Sequence, residues 1–92
     1  MATHLVITGL VQGVGYRASF EAQARALQLR GWVRNRRDGS VEAMVRGDAA
    51  ALEKIVGWSR RGPPAAAVRD VAVSETDDNL VPDDRFEVRP TA

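Results

Sequence analysis

Residues 5–27 read LVITGLVQGVGYRASFEAQARAL, and the change of pattern inside this stretch decides the fold. Leu5 to Val11 is apolar with a β-branched bias, the pattern of a buried strand. From Tyr16 onward, Tyr16, Phe20, Ala24 and Leu27 recur at steps of four and three, which marks one face of a helix. Ala18, Ala22 and Ala26 add helix propensity. Between the two periods lies Gly13-Val14-Gly15, so the chain passes from strand to helix through a short glycine turn.

Downstream, Trp32 to Arg36 and Val41 to Arg46 read as two strands. Asp38-Gly39 between them predicts a type I′ hairpin turn, with positive φ at both central residues. Val41, Ala43 and Val45 alternate with Glu42, Met44 and Arg46, which predicts one buried and one wetter face. Asp48 is placed to cap a second helix striped by Leu52, Ile55, Val56 and Ser59, and Gly62-Pro63-Pro64 stops it. Val68 to Ser74 is a fourth strand, with Val71 and Val73 on one face. Thr76 to Asp84 is acidic and turn-rich, a solvated loop, and Phe86 and Val88 mark a short last strand. The order β-α-β-β-α-β with a short extra strand predicts an α+β, ferredoxin-like split β-α-β fold: an antiparallel sheet with two helices on one face. Residues 1–92 are expected to form one domain. That fold carries many functions, so the function has to come from a site.

Composition removes several classes. With 27% charged and 45% hydrophobic residues, the 92-residue chain is globular in type. A net charge of +1 gives no long-range attraction to nucleic acid or to a membrane. The basic residues are twelve arginines and Lys54, an imbalance that carries little functional weight. Without cysteine, disulfides and thiol chemistry are excluded, and a single histidine argues against a zinc site. No apolar run reaches membrane-spanning length and no secretory leader pattern opens the chain, so a cytoplasmic monomer is expected.

The turn between the first strand and helix carries the first chemistry. Gly13 and Gly15 permit positive φ or close approach of the backbone to a ligand. The amides of Gly13, Val14, Gly15, Tyr16 and Arg17 can then form an anion nest at the positive end of the helix dipole. Arg17 falls in the first helical turn, where its guanidinium fork can engage two phosphate oxygens. The segment is neither a P-loop nor a dinucleotide fingerprint. Taken alone, its spacing favours a plain strand-to-helix turn with Arg17 as a surface cation. The second element is Asn35, on a predicted strand where asparagine is disfavoured. It fits a site residue or a strand terminator equally well. Arg34, Arg36 and Arg37 fit an anion rim or a solvated turn.

Together these elements resemble a known family. Gly9-Leu10-Val11-Gln12-Gly13-Val14-Gly15-Tyr16-Arg17 is similar to the first signature of the acylphosphatases. Gly31-Trp32-Val33-Arg34-Asn35, followed by Asp38-Gly39-Ser40-Val41-Glu42, is similar to the second. The resemblance extends over nearly the whole chain. It implies hydrolysis of a small-molecule acyl phosphate to a carboxylate and inorganic phosphate, without metal or organic cofactor. It further implies that Arg17 and the amides of Gly13 to Arg17 bind the phosphoryl group, and that Asn35 positions the attacking water. Gln28 departs from the glycine common in the family. A left-handed Gln costs about 1 kcal/mol, which predicts a local change at the helix end. Gly15, where some members carry an aromatic residue, is expected to loosen the loop.

The residues themselves restrict such a site. Asn35 orients a water but takes no proton near neutral pH, and no general acid is evident for the leaving group. Only a leaving group that departs unaided then suits the site, which a carboxylate does and an alkoxide does not. His4, with no evident carboxylate partner, is expected to be structural or solvent-facing. Trp32 and Trp58 read as packing residues, and Asp77, Asp78, Asp83 and Asp84 lack calcium-loop spacing. The competing expectation is a ferredoxin-like module that binds RNA or a small anion without catalysis, against which stand few aromatics and low net charge. A third is a regulatory role, as in the acylphosphatase-like domains of larger enzymes that handle carbamoyl phosphate. Because the chain ends after one domain, a free-standing enzyme is the expectation.

Overall fold

The computed structural model describes residues 2–92, with Leu80 by its backbone alone. The chain forms β1 (Ala2–Leu10), α1 (Tyr16–Ala26), β2 (Arg30–Asn35), β3 (Val41–Arg46), α2 (Ala49–Ser59), β4 (Ala67–Thr76) and β5 (Phe86–Val88). A 3-10 turn at Asp78–Leu80 separates the last two strands. The sheet order is β4-β1-β3-β2-β5, the ferredoxin-like topology with one strand added. The four main strands pair antiparallel, but β5 runs parallel to β2, with Gly31 opposite Phe86 and Val33 opposite Val88. The fully antiparallel expectation is corrected here. A strand reached by crossing from the far edge lies alongside β2 in the same direction.

Strand alternation sets the core. Leu5, Ile7, Val33, Val41, Ala43 and Val45 point to one face, where Tyr16, Phe20 and Ala24 of α1 and Ile55 of α2 cover them. Phe20 lies 5.8 Å from Trp58 and 6.0 Å from Phe86 between ring centroids, joining both helices to β5. Asp48 caps α2 by accepting from the Ala50 amide at 3.1 Å, as its position predicts.

Three local expectations change. The hairpin loop is five residues long, and only Gly39 is left-handed, at φ 94°. The Asp38 carboxylate reaches forward to the Ser40 amide (2.9 Å) and hydroxyl (2.6 Å), and this local turn replaces the type I′ geometry. The end of α1 keeps the usual left-handed cap instead of changing. Gln28 takes φ 59°, while Leu29 N donates to Ala24 O and Gln28 N to Arg25 O. Finally, residues 76–84 are not wholly solvated. Val81 folds over the sheet face opposite the helices and buries Met44 together with Ala2 and Trp32. The expected wetter face is apolar there because that loop covers it. Among the described residues, no helix is long and apolar enough to cross a membrane.

Candidate active site

The turn that joins β1 to α1 is built by two left-handed glycines, Gly13 at φ 76° and Gly15 at φ 78°. Any side chain there would be strained, so Gly15 fits the loop's geometry where looseness was expected. Gly15 is also the N-cap of α1 and has no side chain to satisfy the first-turn amides. Among the described residues, none of the amides of Gly13, Val14, Gly15, Tyr16 or Arg17 donates to a protein acceptor. No acidic residue sits in that first turn, so the positive end of the helix dipole is left uncompensated.

Beside this turn lies a cleft of about 430 Å³ lined by Val11, Gln12, Gly13 and Gly15 of the loop, by Tyr16, Arg17, Ala18 and Glu21 of α1, by Asn35 of β2 and by Val88 of β5. The fold thus brings the two sequence-predicted side chains, Arg17 and Asn35, to one cavity. They meet because Asn35 shares the helix-facing side of β2 with buried Val33, and α1 packs over that side.

Arg17 makes no ion pair among the described residues, and its one hydrogen bond is a long 3.5 Å contact to the Arg89 carbonyl. Its guanidinium is therefore available to an anion. Glu21, one turn along the helix, is engaged elsewhere: its carboxylate accepts from Arg25 Nη2 at 3.0 Å and Nε at 3.3 Å. The Asn35 side chain has no protein partner among the described residues and is free to bind water. Its main chain is fixed from outside, since Asn35 O accepts from Ala92 N at 3.0 Å and Arg37 N donates to Ala92 O at 2.8 Å.

Two features escaped the sequence reading. Gln12 lines the cleft and donates to the carbonyls of Arg36 (2.7 Å) and Ser40 (2.8 Å). His4 does have a carboxylate partner, Glu42, at 2.7 Å on the opposite sheet face. That pairing depends on the β1–β3 register, which sets His4 beside Met44 and so near Glu42. Arg34 also binds Glu42 at 2.8 Å and lies over the Trp32 ring at 4.8 Å, so it belongs to this surface and not to a cleft rim. Among the described residues, no three His, Cys, Asp or Glu side chains are grouped to hold a metal ion.

The chain compares closely with known proteins. The family model described as Acylphosphatase matches residues 3–88. An acylphosphatase of Albidiferax ferrireducens is 54% identical over 77 residues, which is 84% of this chain and 84% of that relative. The crystal structure of acylphosphatase from Bacillus subtilis aligns with a TM-score of 0.87 at 33% identity, over 96% of this chain and 97% of that one. An acylphosphatase structure from Coxiella burnetii aligns with a TM-score of 0.88 at 38% identity, over 96% of this chain and 90% of that one. With a glycine-loop cleft beside a guanidinium that makes no ion pair among the described residues, and with kinship of this extent, the chain belongs to the acylphosphatase family.

Proposed function

We propose that the protein hydrolyses a small-molecule acyl phosphate, with Arg17 and the amides of Gly13 to Arg17 binding the phosphoryl group and Asn35 aiming the water. The observation that carries this reading is that one cleft is lined by a glycine loop and helix start whose amides donate to no protein acceptor, by a guanidinium without an ion pair and by an asparagine amide without a partner, all among the described residues. Positive groups at one end and a water-binding amide nearby suit in-line attack on phosphorus.

In the proposed step, the water oxygen forms a bond to phosphorus as the bond from phosphorus to the acyl oxygen breaks. The carboxylate leaves with the electron pair, and the water's proton passes to a phosphoryl oxygen. Asn35 holds the water without taking the proton. Of the residues lining the cleft only Glu21 carries an acidic side chain, and it pairs with Arg25 instead of standing free toward a leaving group. This supports acyl phosphates over phosphate monoesters, whose alkoxide needs a proton to leave.

The RNA-binding alternative needs an exposed stacking platform on the open sheet face. Trp32 is the aromatic residue there, but it is only 4% exposed, with Arg34 and Arg89 each 4.8 Å from its centroid. The deciding experiment is hydrolysis of benzoyl phosphate by the purified protein in a chelating buffer. Turnover is expected, with phenyl phosphate left intact. No turnover above the uncatalysed rate sinks the proposal.

A further inference from the structure

Gln12 sits between β1 and Gly13, at the start of the loop that lines the cleft. Its Nε2 lies 2.7 Å from the Arg36 carbonyl and 2.8 Å from the Ser40 carbonyl. Two carbonyl oxygens accept only from the NH2 end of an amide, so both of its N–H donors are spent on them. Arg36 and Ser40 are also bonded to each other, Arg36 N donating to Ser40 O at 2.8 Å, and together they close the hairpin loop. Arg36 directly follows Asn35. Among the described residues, no other hydrogen bond joins residues 11–15 to the hairpin at 35–41.

We infer that Gln12 is a positioning residue for the hydrolysis, a strut that fixes Asn35 relative to the phosphoryl cradle. The inference rests on the functional reading above and deepens it. The phosphoryl-binding side has a second anchor, because its loop runs directly into α1. Arg17 rides on α1, which is held by its own packing and by the Tyr16 bond to Ser59. Asn35 stands at the end of β2, where Ala92 holds its carbonyl but makes no tie to the loop, and the strut links the next residue to that loop. Losing it alters the approach of the water and leaves the anion site intact. A displacement of about 1 Å at a reacting group costs about 10²-fold in rate, which sets the scale of the effect.

The test uses benzoyl phosphate turnover, inhibition by inorganic phosphate and urea unfolding on the wild type, Gln12→Met and Gln12→Glu. Methionine keeps the length and packing without the donors, and glutamate sets an oxygen against two carbonyls. The expected result is a fall in kcat of about 10- to 100-fold in both variants, with the phosphate inhibition constant little changed. Combined with Asn35→Ala, Gln12→Met should add little further loss, because the two act on one step. A purely structural role would move the unfolding midpoint and leave kcat alone. The inference is overturned by wild-type kcat in both variants, by parallel loss of phosphate binding, by full additivity with Asn35→Ala, or by failure of both variants to fold. A wild type inert toward benzoyl phosphate overturns the functional reading itself, and the positioning role falls with it.

Discussion

The Tyr16 hydroxyl donates a 2.8 Å hydrogen bond to the main-chain carbonyl of Ser59, tying the first turn of α1 to the last turn of α2. Both residues are buried, and burial pushes the Tyr16 phenol up, so it remains a donor at every working pH. The bond anchors the helix start that carries Arg17. Tyr16→Phe strands the Ser59 carbonyl and is expected to cost about 1–2 kcal/mol. For a domain of this size, Tm falls roughly 4–8 °C per kcal/mol. The proposed cradle uses the Tyr16 amide and not its hydroxyl, so kcat at low temperature should hold. An unchanged Tm in a calorimetric scan would show that the bond contributes nothing net.

Arg17 and Asn35 are expected to separate binding from chemistry. Arg17→Ala removes the guanidinium that lines the cleft and should cost at least about 10³-fold in kcat/KM, together with inhibition by inorganic phosphate. Asn35→Ala should lower kcat by about 10²-fold or more while phosphate still inhibits. Steady-state kinetics with phosphate as competitor measures both. Wild-type kcat in Asn35→Ala would end the water-positioning role.

Gln28 is the one residue other than glycine with positive φ among those described. The Schellman bonds around it hold the conformation despite its Cβ. Gln28→Gly should stabilise the fold by up to about 1 kcal/mol, less the added backbone freedom of glycine in the unfolded chain. Urea denaturation reads this directly, and a lower midpoint would contradict the strain argument.

Glu42 accepts from His4 and from Arg34 on the open sheet face and is only 12% exposed. Desolvation raises its pKa, but the hydrogen bonds from His4 and Arg34 and the Arg34 charge outweigh that and hold it below the ordinary glutamate value. A depressed carboxylate stabilises the fold fully above its unfolded pKa and loses that contribution as pH falls through the folded one. Glu42→Gln should therefore cost about 1–3 kcal/mol at pH 7, and the gap from wild type should close as pH drops below the usual glutamate range. Unfolding free energies measured from pH 7 down to pH 3 provide the check. A gap that stays constant with pH would refute the charge assignment.

Much of this protein is written in local sequence. The shift from the apolar strand before Val11 to the four-and-three spacing from Tyr16 places β1, the loop and α1 by steric and periodic rules that act over a few residues. Gly13 and Gly15 declare the left-handed turn, Asp48 the start of α2, and Arg17 and Asn35 stand out within two short signatures. Local rules end where a residue's partner lies far along the chain. The parallel seat of β5, the burial of Met44 under Val81, the Glu42 partner of His4 and the grip of Gln12 on Arg36 and Ser40 all depend on register and crossover. Sequence alone singled out Arg17 and Asn35, the residues proposed to bind a phosphoryl group and to orient a water. Only the tertiary structure decided that they face one cleft, because packing α1 on the helix-facing side of β2 is what brings residues eighteen positions apart to a single volume.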